Sequence, residues 1–150
     1  MCLVAFLGTD AVLDTAPADG AAFFIGEPSP SEQAVRAQFS TPNVYYLGTH
    51  THCGCGYGYG QDPAGYAWAA ESPEEVDLDP LEPDARRQLA QRLRQLVDAG
   101  HRVEVHVCWS GDEAAAPARR LRLTPEAFLD PNRIAEGDAI RVIPSSPGPS

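Results

Sequence analysis

No apolar run in this chain approaches the roughly 20 residues of a membrane span, and no basic region precedes its short apolar N-terminal run. The reading is a protein with neither span nor secretory signal, placed in the cytoplasm, where its four cysteines stay mostly reduced. Basic charge is scarce. Lys+Arg number 11 against 21 Asp+Glu, for a formal net charge of −10. That acidity opposes non-specific binding to nucleic acid or to an anionic membrane, so neither is expected as a partner. No internal repeat is present. The chain also lacks a Cys-x-x-Cys pair and a His-Glu-x-x-His helix, two of the stronger local signatures of zinc. What is there is 150 residues, 43% hydrophobic, enough to bury one sizeable core.

Cys2 to Leu7 is a continuous apolar run, which predicts a strand buried on both faces. Asp19-Gly20 signals a turn, and Ala21 to Ile25 a second short strand. Ser29-Pro30-Ser31-Glu32 predicts a helix start with a capping box, carrying Val35 and Phe39 on one face and stopped at Thr41-Pro42. Val44 to Leu47 follows as a third strand. The order strand, helix, strand suggests a parallel pair joined by a right-handed crossover. Ala70 to Asp84 is acidic and reads as a solvated loop. Ala85 to Ala99 is the clearest helix, with Leu89, Leu93, Leu96 and Val97 on one face and Gly100 past its end. Its arginines read as a solvated face. Arg102 to Trp109 alternates strongly, and shorter strands are expected at Arg119 to Leu123 and Ala139 to Ile143. The fold class is thus a single α/β domain over residues 1–143. It has a mixed, mainly parallel sheet of five to six strands and two main helices, followed by a disordered tail at 144–150.

The stretch from Gly48 to Gly60 is the unusual one. It holds two of the four histidines and two of the four cysteines, with glycine alternating through Cys53, Cys55, Tyr57 and Tyr59. Glycine packs nothing and weakens a strand. If the chain stays extended here, His50 and His52 face one way and Cys53 and Cys55 the other. If it turns at Gly54 or Gly56, all four converge. A second group, Glu104, His106 and Cys108, shares one face of the fourth strand. The carboxyl ends of the third and fourth strands are expected at one edge of the sheet, where open α/β sheets bind ligands.

Imidazole and thiolate together suit a metal, zinc or iron. The candidate ligands are His50, His52, Cys53, Cys55, His106 and Cys108. A thiol enzyme is the alternative, with a cysteine nucleophile and a histidine base, and with glycine-rich backbone to donate to an oxyanion. A non-catalytic structural or interaction domain is the third reading, in which Cys108 and His106 belong to the core and Tyr57 and Tyr59 cover the glycines. The Met-Cys opening followed by an apolar strand resembles the N-terminal-nucleophile hydrolases over its first few residues. That resemblance implies a four-layer fold and a Cys2 freed as the terminal nucleophile by removal of Met1. The small-molecule ligand, the protein partner and the oligomeric state are not written in the sequence.

Overall fold

The structure is a computed structural model that describes residues 2–16, 20–60 and 81–145. Among these, six strands form one sheet: β1 (Leu3–Thr9), β2 (Phe23–Gly26), β3 (Asn43–Thr49), β4 (Val103–Trp109), β5 (Arg119–Leu123) and β6 (Asp138–Val142). Their order across the sheet is β2-β3-β1-β4-β6-β5. Two main helices accompany it, a 3₁₀ helix at Pro30–Gln38 and an α-helix, α1, at Leu81–Asp98, with shorter 3₁₀ turns at Gly54–Tyr57 and Pro125–Leu129. The mixed α/β class stands, with a single sheet in place of the four layers that the hydrolase resemblance implies.

The sheet is not mainly parallel. β1–β3, β1–β4, β2–β3 and β4–β6 pair antiparallel, and β5–β6 alone among the described strands pair parallel. The cause is β1. Every residue of Leu3–Thr9 is buried, so the strand needs cover on both faces and a neighbour on both edges. It takes the slot between β3 and β4 and runs opposite to each. β3 and β4 are therefore parallel to one another across it, and the link between them carries α1. The strand–helix–strand unit inferred for β2 and β3 is corrected in the same way. Phe23 lies opposite Thr49 and Gly26 opposite Tyr46, so the chain leaves β2 close to where β3 begins and needs no crossover. The Pro30–Gln38 segment instead lies over the sheet face, with Val35 fully buried against Val4, Phe6 and Val44. Its start is as read: the Glu32 carboxylate accepts from the Ser29 N–H at 2.8 Å.

α1 covers the other face. Leu89, Leu93, Leu96 and Val97 pack on Leu3, Ala5, Leu7, Val103, Val105 and Val107. The described helix already includes residues 81–84, ahead of Ala85: Pro83 is tolerated in a first turn, and Glu82 and Asp84 complement the positive end of the dipole. It ends as a Schellman motif. The His101 N–H donates to the Leu96 carbonyl and the Gly100 N–H to the Val97 carbonyl, both at 3.0 Å, with Gly100 at φ 88°. Asp19, most of the acidic Ala70–Asp84 stretch and residues 146–150 of the expected tail lie outside the described residues. Among the described residues no helix is long and apolar enough to cross a membrane.

Candidate metal centre

Because β1 runs opposite to β3 and β4, its first residues meet the last residues of both. Ala5 lies opposite Leu47 and Leu3 opposite Trp109. Cys2, just ahead of β1, therefore shares an edge with the stretch that follows Thr49. There the chain turns sharply. The His52 N–H donates to the Thr49 carbonyl at 2.8 Å, and His52 takes a left-handed φ of 72°. Histidine is among the residues that visit that region, but at a cost. Two side chains hold the turn: the Tyr46 hydroxyl donates to the His52 carbonyl at 2.7 Å, and the Thr49 hydroxyl to the Cys53 carbonyl at 2.8 Å.

The extended alternative is thereby excluded, since Gly54–Tyr57 form a 3₁₀ turn. Two of the alternating glycines mark close approaches of this turn. A Cβ on Gly54 would stand 3.1 Å from the Leu3 carbonyl oxygen and 3.3 Å from the Ala5 nitrogen, both in the β1 backbone. A Cβ on Gly56 would overlap the Thr49 hydroxyl. Tyr57 and Tyr59 are buried, stacked at 5.4 Å, and belong to the core under α1.

The product of this folding is a group of three thiols. The sulfurs of Cys2, Cys53 and Cys55 all lie within 4.8 Å of one another. Hydrogen bonds to β1 and to Thr51 orient them. The Leu3 N–H donates to Cys55 Sγ at 3.2 Å, and the Thr51 hydroxyl lies 3.5 Å from Cys53 Sγ. Cys2 is exposed while Cys53 and Cys55 are half-buried. A cleft of about 410 Å³ opens beside Cys55, bounded by Tyr59, Trp109 and Glu136. The thiols differ electrostatically. Burial works to raise the Cys53 thiol, but hydrogen bonds from the Thr51 hydroxyl, the Cys55 N–H and the neighbouring thiols bring it below its ordinary value. Cys55 is pushed up to about 11, by burial first and then by the charges of Cys53 and Cys2, against the opposing Leu3 N–H.

Cys53 and Cys55 thus come together, with Cys2 as a third partner that the ligand reading of the sequence missed. Its signal was the antiparallel register of β1, which composition does not show. His50, His52, His106 and Cys108 lie outside the group of three. His106 and Cys108 sit on β4, on the face opposite α1, in or against the cluster of Val4, Phe6, Val35 and Val44. Burial, with nearby carboxylates, pushes the Cys108 thiol up to about 12, which makes it a core thiol in its reactivity.

Comparison with protein families, curated proteins and solved structures finds no match for this chain. What the centre can do must therefore come from its chemistry. A tetrahedral thiolate site with Zn–S near 2.3 Å separates its sulfurs by about 3.8 Å. The three sulfurs need draw in by no more than about 1 Å, within the reach of side-chain rotation. The Cys2/Cys53/Cys55 cluster can hold a metal ion.

Proposed function

We propose that this chain is a metal-binding protein whose centre consists of the thiolates of Cys2, Cys53 and Cys55. The observation that carries the reading is the convergence of three cysteines, from two distant parts of the sequence, to within 4.8 Å. Three thiolates suit borderline and soft cations, and zinc is the ion we favour over iron. Three protein ligands leave a fourth position, and the exposure of Cys2 and the cleft beside Cys55 put that position within reach of water or of a small ligand. A reducing compartment fits this use, since it keeps the thiols free. His50, His52, His106 and Cys108 are not needed in the ligand set.

One observation favours a second reading. The Cys53 thiol is held below its ordinary value, as a nucleophile's would be. Alkylation with mass mapping, with and without a chelator, separates the two. The metal reading predicts that chelation lowers Tm and frees Cys2, Cys53 and Cys55 for reaction together. Fast labelling of Cys53 alone, indifferent to chelator, supports the enzyme reading instead. Cys108 should label only after denaturation in either case.

A further inference from the structure

The face of the sheet opposite α1 is covered only in part. The Pro30–Gln38 segment and Phe39 lie over β1 and β3, and beyond β4 the sheet face is open. There, two rows of side chains cross β4, β6 and β5. His106 pairs with Ala139 and Ala139 with Arg120; Glu104 pairs with Arg141 and Arg141 with Arg122. Alternation along the strands puts all six on the open face. Ala139, the small residue between two long ones, makes a hollow. The resulting groove has a volume of about 490 Å³, within the range of small-molecule sites. Phe39 and Ser40 bound one side, and Arg120 and Arg122 the other.

The groove's charges are unusual for this chain. It has no lysine, so its 11 Lys+Arg residues are all arginine, and Arg102, Arg120, Arg122 and Arg141 line this one groove. Among the described residues, ion pairs join Arg87 to Asp84, Arg94 to Glu126, His101 to Asp10 and Arg119 to Asp138. Arg120, Arg122 and Arg141 are exposed and take no hydrogen bond or ion pair among those residues. The one carboxylate in the described lining of the groove, Glu104, accepts from the Ser40 N–H at 3.2 Å and from the Ser40 hydroxyl. Its single negative charge stands against four guanidiniums in the groove lining, and among the described residues it forms no ion pair with Arg141.

A second observation is independent of the arginines. His106, 2% exposed, lines the groove, and among the described residues neither of its ring nitrogens has a hydrogen-bond partner. Buried polar atoms are seldom left so. Phe39 stands edge-on to the ring at 6.3 Å and supplies no polar partner.

We infer that this groove is a binding site for a small oxyanion ligand, a phosphate or carboxylate group. Arg120, Arg122 and Arg141 supply the guanidinium donors, and His106 an N–H from the floor. Arginine forks match the oxygens of either group two at a time, which a point charge does not. The site is separate from the three thiols and does not depend on a metal there. The test is a titration of the full chain with inorganic phosphate, phenyl phosphate and succinate at constant ionic strength, with chloride as the control anion. His106 ring resonances are read by NMR and Kd by calorimetry. Saturable shifts of the His106 resonances are expected with at least one oxyanion. Arg120→Ala, Arg122→Ala and Arg141→Ala should each weaken binding about tenfold, since charge-assisted pairs are the strong ones. These are exposed side chains, so folding should survive their loss. Phosphate and phenyl phosphate acting without succinate would assign the ligand to the phosphate class, and the converse to carboxylates. Three results overturn the inference: unmoved His106 resonances, equal shifts with chloride, or unchanged Kd in the triple arginine variant. Binding only to an acidic polypeptide or to RNA, with no response to any small oxyanion, would overturn it as well.

Discussion

Replacing Gly54 with alanine places a methyl group 3.1 Å from the Leu3 carbonyl oxygen, 3.3 Å from the Ala5 nitrogen and 3.4 Å from the Val4 carbonyl carbon. Ordinary contact begins near the longest of these, so something must give by a few tenths of an ångström. β1 cannot, because β3 and β4 hold it on both edges. The loop has to lift, and it carries Cys53 and Cys55 away from Cys2. Overfilling a tight site costs about 1–3 kcal/mol. Alanine also restricts the unfolded chain, which offsets about 0.4–1 kcal/mol. A net loss of about 1–2 kcal/mol should lower Tm by about 2–8 °C in a chain of this size. Metal affinity should fall with it, because the displaced atoms are ligands. Thermal unfolding and competition titration with cobalt would measure the two. Gly111→Ala is the control: the position has φ 103° and no neighbour within 4 Å, so it adds backbone strain alone and should leave the metal untouched. Wild-type cobalt affinity in Gly54→Ala would refute the claim that this approach positions the thiols. Wild-type stability would refute the close approach itself.

Leu93 of α1 is fully buried in the main core, so Leu93→Ala should cost about 2–5 kcal/mol in chemical denaturation. Arg94 is half-exposed and paired with Glu126 at the surface, so Arg94→Ala should cost about 0–1 kcal/mol, and equal small losses would mean that the helix is not docked through its leucines. Burial, and then the charge of Arg120, holds His106 below its ordinary value of 6.5. The unfolded chain then binds a proton that the folded chain does not, so His106 removes stability as pH falls below about 6.5 and none above it. Stability measured in steps from about pH 7.5 to about pH 5.5 should show that loss, and His106→Asn should flatten it. An identical slope in the variant would assign the pH dependence elsewhere.

All six strands were legible, because hydrophobic runs and period-two alternation are local. Val103, Val105 and Val107 against Glu104 and His106 announced two faces, and the structure keeps them. The pairing was not legible, because it depends on which strand fills a central slot. The buried run Leu3–Leu7 was consistent with a parallel strand, and only the register with Leu47 and Val107 shows it antiparallel to both neighbours. The same limit applied to the site. Cys53 and Cys55 stood out through the alternating glycines, whereas Cys2, marked only by the Met-Cys opening as a candidate nucleophile, had no local signal as a ligand and entered the cluster through the direction of β1. His106 read as a ligand candidate because imidazole is one; its place in an arginine-lined groove came from the register of β4 with β6 and β5, which local patterns do not encode.

The most direct test of the three-thiolate centre is cobalt titration of the untagged protein, read by the intensity of thiolate-to-metal charge transfer. Wild-type protein and Cys2→Ser, Cys53→Ser, Cys55→Ser, Cys108→Ser and His52→Gly variants would be compared. Elemental analysis of the same preparations would identify the natural ion. The account predicts one ion per chain with a three-thiolate signature. Each of the first three substitutions should reduce that signature, and Cys108→Ser and His52→Gly should not. Full-strength binding in Cys2→Ser, or wild-type protein that takes up no cobalt under reducing conditions, would contradict it.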